Sequence, residues 1–269
     1  MNFMNLSDEL DAKFVILPIE FEKDTTYGKG ASKGPSEIIK ASQHLEYYDE
    51  QFDIEPHEKG IRVLDTIKAD DYQEMFNKIK PIVDNKFIIG LGGDHSVTIG
   101  MVNAIDDDFS AIVLDAHSDF RDQWNNSEYN HACVSKQLSK KHSLALIGIR
   151  SMDIEEHNEI KDNDNVHLIK AYDYDKEKLL DILPKLKDKV YISIDVDCFD
   201  PSFIRNTGTP EPGGFFWNDV IEILQTIFEH KKVIGADIVE FSPKHNFEAE
   251  AFALAKLCYK LMSLKLKFN

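Results

Sequence analysis

Eight short apolar runs punctuate this chain, and their texture constrains the fold more than any other feature of it. Residues 14–21, 61–67, 86–91, 110–114, 144–149, 166–169, 189–194 and 232–238 are rich in Val, Ile and Leu and do not alternate cleanly with polar residues. A strand with one wet face alternates; a strand buried on both faces reads as a near-continuous apolar run. Between the runs lie stretches such as Tyr72-Gln-Glu-Met-Phe-Asn-Lys-Ile and Asp219-Val-Ile-Glu-Ile-Leu, whose apolar residues recur three and four apart, the spacing of amphipathic helices. The last of them spans residues 246–265, with Asn246 as its N-cap. Strand followed by helix throughout predicts an α/β fold, a mostly parallel sheet covered by helices on both faces. No linker, repeat or low-complexity tract interrupts residues 1–269, so the expectation is one domain.

In open parallel sheets, ligands gather at the carboxyl ends of the strands. Four predicted strands end in chemically potent residues. Ile88-Ile-Gly-Leu-Gly-Gly-Asp-His-Ser places Gly92, Gly93, Asp94 and His95 between a strand and a helix predicted over 97–105. Asp115-Ala-His-Ser-Asp follows the run 110–114; in an extended segment, alternation turns Asp115, His117 and Asp119 to one side. Tyr191-Ile-Ser-Ile-Asp-Val-Asp-Cys-Phe-Asp-Pro turns Asp195 and Asp197 together and Cys198 away, so Cys198 reads as packing. Ile234-Gly-Ala-Asp-Ile-Val-Glu-Phe-Ser-Pro brings Asp237 and Glu240, either of which also fits a solvated loop. The bland alternative for each segment is a polar strand tip facing water. It fits poorly where several carboxylates crowd the end of a buried strand, because they repel and resist burial unless a cation lies between them.

His95, His117, Asp115, Asp119, Asp195 and Asp197 are too many ligands for one divalent ion that keeps a site open for substrate. They suit two ions roughly 3.5–4 Å apart, which together lower the pKa of a shared water toward neutrality and favour hydrolysis. Oxygen-rich ligation with some imidazole and no thiolate points to two Mn²⁺ per chain ahead of Zn²⁺ or Mg²⁺.

Composition narrows the partners. A formal net charge of −17 argues against nucleic acid, whose phosphates demand an excess of Lys and Arg, and favours cationic small molecules. No run of eighteen apolar residues suggests a membrane span. MNFMNLSDELDAKF lacks the basic and apolar regions of a signal peptide, and the three scattered cysteines (Cys133, Cys198, Cys258) suit a reducing compartment; the expected location is cytoplasmic.

GGDHS (92–96), DAHSD (115–119), SIDVDCFDPSF (193–203), TGTPEPGG (207–214) and DIVEFSP (237–243) together resemble the signature blocks of the ureohydrolase family, which includes arginases and agmatinases. The resemblance runs from about Gly28 to the last helix. It implies the three-layer α/β/α arginase-like fold with an eight-stranded mostly parallel sheet and a binuclear manganese centre. His95, Asp115, Asp119 and Asp195 would then hold one ion and His117, Asp115, Asp195 and Asp197 the other. By the same resemblance His131 is the catalytic proton shuttle, Glu240 pairs with the substrate guanidinium, Asp119 helps to steady its charge, and Asp94 orients ligands. Relatives form trimers or hexamers, which implies a homo-oligomer.

The segment from Phe120 to Val134, with Tyr129-Asn-His131-Ala, and the TGTPEPGG block look most like agmatinase. The expected reaction is hydrolysis of agmatine, a small cationic guanidino substrate, to putrescine and urea. Arg121 is a caution, since it can clamp a carboxylate, as a guanidinobutyrase, an arginase or a formimidoylglutamase would require. Cys133 and Lys136 depart from commoner forms of the family, and His245 has no assigned role. A deacetylase-type amidohydrolase shares the fold but uses one zinc and lacks the His95-type ligand. A non-catalytic relative is disfavoured by the complete ligand set.

Overall fold

The structure, a computed structural model, describes residues 2–7, 11–82, 86–244 and 248–269. Among these, eight strands form one sheet: β1 Phe14–Ile19, β2 Ile61–Val63, β3 Phe87–Gly92, β4 Ser110–Leu114, β5 Leu144–Ile149, β6 Val166–Lys170, β7 Lys189–Asp195 and β8 Lys232–Val239. Every pairing is parallel, in the order β2-β1-β3-β8-β7-β4-β5-β6. The helices are α1 Gly34–Ser42, α2 Tyr72–Ile79, α3 Ser96–Ala104, α4 Val134–Ser139, α5 Ile154–Lys161, α6 Lys176–Ile182, α7 Trp217–His230 and α8 Glu248–Phe268.

Alternate residues of each strand feed two separate cores, which is why the runs read as continuous. Ile112, Leu114, Ile192 and Ile194 join α1, α6, α7 and α8 on one face. Ala111, Val113, Leu144 and Tyr191 join α2, α3, α4 and α5 on the other. Each fully buried Ile or Leu contributes about 1.5–3 kcal/mol, so a polar residue inside a strand must be compensated locally. Helix starts follow the chain's chemistry: the Asp71 and Asp175 side chains accept from the backbone N–H of Glu74 and Lys178, capping α2 and α6.

Some boundaries depart from expectation. β2 is an edge strand with only β1 beside it, and its pairing lapses after Val63 until Ile67 makes an isolated bridge to Ile19. β1 stops at Ile19, not at residue 21. The final helix continues to Phe268, past residue 265, while Asn246 and His245 lie outside the described residues.

The order places β3, β8, β7 and β4 side by side in the middle of the sheet. Leu91 pairs with Ile238, Ile238 with Ile194 and Ile194 with Leu114, so these four strands end level with one another. The chain leaves β3 and re-enters at β4, across β8 and β7, which is the switch in strand order where open α/β sheets bind ligands.

Candidate active site

Three of the four level strand ends, those of β3, β4 and β7, deliver the six expected ligands to one place. His95 Nδ1 lies 3.1 Å from Asp115 Oδ2, 3.0 Å from Asp119 Oδ2 and 3.2 Å from Asp195 Oδ2. His117 Nδ1 lies 3.0 Å from Asp197 Oδ2 and 3.8 Å from Asp115 Oδ1. Asp115 is thus common to two clusters, His95–Asp115–Asp119 and Asp115–His117–Asp197, each able to hold a metal ion.

Three carboxylates are held by the backbone in the same manner. Asp115 Oδ1 accepts from His117 N at 2.7 Å, Asp195 Oδ1 from Asp197 N at 2.9 Å, and Asp197 Oδ1 from Ala116 N at 3.0 Å. Each fixes one oxygen and turns the other inward, so the inner oxygens are positioned before any ligand arrives. Asp195 and Asp197 are brought together by a 3-10 turn, Val196–Cys198, and not by strand alternation as expected. Asp119 also lies beyond the ladder, and it reaches the cluster through a left-handed backbone conformation, φ 48°.

These residues fit a cation. His95 Nδ1 and Asp115 Oδ2 are buried, 3.1 Å apart, with no hydrogen-bond partner among the described residues. Carboxylates packed this closely repel by about 3–4 kcal/mol per pair at an effective dielectric near 20. Burial, reinforced by Asp197, pushes the Asp115 and Asp195 carboxyls well above the usual range. Burial would lower the two imidazoles, but Asp115, Asp119 and Asp195 hold His95 well above its ordinary value, and Asp197 brings His117 up to about 11. A divalent ion would replace those protons and offset the repulsion together. The buried Cys198 thiol is pushed up by burial and the adjacent aspartates, in keeping with packing.

Sequence reasoning missed the group that orients His95. Asp94, expected to orient ligands, accepts from Lys23 N at 2.6 Å and Ser96 N at 3.0 Å, tying the segment after β1 to the start of α3. Ser193 is what touches His95: its Oγ lies 3.0 Å from Nε2 and donates to Asp237 Oδ1 at 2.7 Å. Tyr191 OH donates to the other Asp237 oxygen, also at 2.7 Å. Asp237 is therefore a buried member of β8, not a loop charge. Alternation along β7 turns Tyr191, Ser193 and Asp195 to one face, and that was the available signal.

Glu240 follows β8 in a left-handed conformation, φ 66°, an arrangement that costs a non-glycine residue of order 1–3 kcal/mol. Its N–H donates to Gly93 O at 2.7 Å and its Oε1 accepts from His95 N at 2.8 Å. Only glycine fits position 93, where a Cβ would collide with the Phe21 carbonyl oxygen. Burial, with Asp195 and Asp94 nearby, pushes the Glu240 carboxyl well up, so it is poised for a cationic partner.

A cleft of about 250 Å³ leads outward from the ligands, past His131, Trp124 and Asp153. Asn130 accepts from Ala132 N at 3.1 Å and so starts the turn that carries His131. Arg121 pairs with Asp153, lies 4.0 Å from Glu156 and rests over the Trp124 ring at 4.8 Å. With its charge met by two carboxylates, Arg121 is not a free clamp for a substrate carboxylate.

Fold and site together define a class. The Arginase family profile matches residues 12–263, and the chain belongs to that family. It is an agmatinase-like ureohydrolase, a hydrolase. It is 36% identical over 272 residues to the N(1)-aminopropylagmatine ureohydrolase of Synechocystis sp., covering 94% of this chain and 89% of that one. It is 34% identical over 268 residues to the agmatinase of Pyrococcus horikoshii, covering 96% and 93%. The agmatine ureohydrolase of Thermoplasma volcanium superposes with a TM-score of 0.87 at 31% identity, over 96% of this chain and 91% of that one.

Proposed function

We propose that the chain releases urea from a guanidine carried on a polyamine tail, either agmatine or agmatine extended by an aminopropyl group, using two Mn²⁺ held by His95, Asp115, Asp119, His117, Asp195 and Asp197. The observation that carries the tail assignment is the engagement of Arg121 by Asp153 and Glu156, which leaves the outer wall net acidic. A dication or trication suits such a wall; guanidinobutyrate and arginine bring a carboxylate that it repels. The names of the relatives support both tails, and the aminopropyl one at slightly higher identity.

When bound, the ions supply a nucleophile at neutral pH by lowering the pKa of a water. The chain's own groups do the rest. Glu240 accepts two N–H bonds from the planar guanidinium, as a carboxylate does in bidentate pairing, and Asp119 steadies the same charge. Water adds to the guanidinium carbon, and the bond from that carbon to the tail nitrogen breaks. His131 gives its proton to that nitrogen, which leaves as an amine while urea remains. Holding the guanidinium carbon in line supplies several kcal/mol of the barrier reduction, about 7–11 kcal/mol at best.

Urea release from agmatine, aminopropylagmatine, guanidinobutyrate and arginine by Mn²⁺-supplied enzyme tests this reading. One or both polyamine substrates should exceed the carboxylates in kcat/KM by at least about 100-fold, the discrimination of about 3 kcal/mol that an unpaired buried charge costs. Preference for a carboxylate-bearing guanidine would refute the tail assignment.

A further inference from the structure

The chain between β1 and α1 is pinned at both ends and passes beside the cleft. Lys23 N donates to Asp94 Oδ2 at 2.6 Å, and Gly28 N donates to Gly208 O at 3.0 Å. Glu22 fastens the far side, accepting from Gly30 N at 2.7 Å and from Ser32 Oγ at 2.9 Å. A Cβ at Gly28 would come within 2.8 Å of the Gly208 Cα, so the two loops meet backbone to backbone. Between the pins, Thr25, Thr26 and Tyr27 line the cleft. Thr26 Oγ1 lies 2.8 Å from His131 Nε2, across 105 residues of sequence. The other ring nitrogen, Nδ1, is buried with no hydrogen-bond partner among the described residues. The Thr26 hydroxyl is thus the one hydrogen-bonding group that these residues offer the ring.

We infer that Thr26 is the positioning residue of the proton donor: it fixes the His131 ring toward the cleft and links it to solvent, so that the ring regains its proton after each turnover. This rests on the reading of His131 as proton donor. The residue type suits the task. A hydroxyl accepts from a protonated ring nitrogen and donates to a neutral one, so the contact survives both halves of the cycle. A carboxylate would favour the protonated ring and a backbone N–H the neutral one. Thr26 is exposed, which gives its hydroxyl access to water on the side away from His131. The pins at Lys23 and Gly28 hold that hydroxyl in place without using it.

The test uses the Mn²⁺-loaded full chain, with the best substrate of the panel above. Thr26→Val keeps the shape and removes the hydroxyl; Thr26→Ser keeps the hydroxyl. Loss of one hydrogen bond to a group that becomes charged predicts a fall in kcat of about 10-fold for Thr26→Val, with KM within about twofold. Thr26→Ser should stay within about threefold of the parent. The decisive readout is a double-mutant cycle: Thr26→Val should have no further effect on a His131→Asn enzyme, because the hydroxyl acts through the ring. Parental kcat in Thr26→Val, equal losses in Thr26→Val and Thr26→Ser, loss of bound metal in Thr26→Val, or an undiminished effect in the His131→Asn background would each overturn the inference. A His131→Asn enzyme at parental rate would overturn the proton-donor reading itself, and this inference with it. A slow His131→Asn beside a normal Thr26→Val would overturn only the role of Thr26.

Discussion

Ser193 shows how much of the site depends on a residue type that carries no chemistry of its own. Its hydroxyl sits between His95 Nε2 and the Asp237 carboxylate, and Thr98 Oγ1 lies 3.0 Å away on its other side. Ser193→Ala leaves the His95 ring free to rotate and strips a donor from a fully buried carboxylate. Outer partners of ligating histidines are commonly worth 10–100-fold in metal affinity, and a buried acceptor left unpaired costs about 1–3 kcal/mol. The variant should therefore bind Mn²⁺ about 10–100-fold more weakly by titration and melt several degrees lower when metal-free. Unchanged affinity would mean that the strand ends alone orient His95. The cluster of carboxylates and imidazoles was legible in the sequence because its members follow buried runs, where a polar strand tip facing water fits poorly. Ser193 and Thr26 were not, because a hydroxyl is unremarkable until the fold brings it against a ring from 98 or 105 positions away.

At the level of elements, the loop of residues 197–214 is built by two anchors. Arg150 donates to the carbonyl oxygens of Asp197 at 2.7 Å and Glu211 at 2.8 Å, clasping the two ends. Asp200 gathers the middle, accepting from Ser202 Oγ at 2.6 Å and from Gly213 N at 2.8 Å. These bonds, the Ser202 hydroxyl first, lower the Asp200 carboxyl to about 2. Its folded pKa lies below its ordinary value near 3.9, so its contribution to stability is present above about pH 4 and is lost as pH falls through about 2. Asp200→Asn should accordingly lower Tm near neutrality, and the gap to the parent should close as both proteins are taken from pH 5 toward pH 2. A gap of constant size would remove the charge from the explanation. Because Gly208 on this loop faces Glu240 and meets Gly28, the variant should also raise KM. The strands were readable here because burial on both faces leaves an unbroken apolar record. The turns were not. Alternation was carried one step too far past β4 and β7, where a left-handed residue and a 3-10 turn, set by tertiary packing, make the convergence instead.

Across the whole molecule, strand order lay beyond the sequence, since nothing local says that β8 and β7 slot between β3 and β4. That insertion is what makes four distant motifs neighbours. The net charge of −17 also acts at this scale. Its field should draw a polycationic substrate inward, and screening at 0.1 M salt already shortens the reach of that field to about 10 Å. For agmatine-type substrates, kcat/KM should thus fall with ionic strength while kcat holds, when measured at salt concentrations that leave metal content constant. A flat profile would confine recognition to contacts inside the cleft.

The central claim, that side chains from three strand ends close on two divalent ions, is most directly tested by counting them. Elemental analysis of the purified chain after Mn²⁺ loading and removal of excess metal should find two ions per chain. His95→Ala should retain the fold by circular dichroism but hold one ion or fewer and lose turnover. A parent chain that holds a single ion or none while releasing urea at full rate would contradict the account.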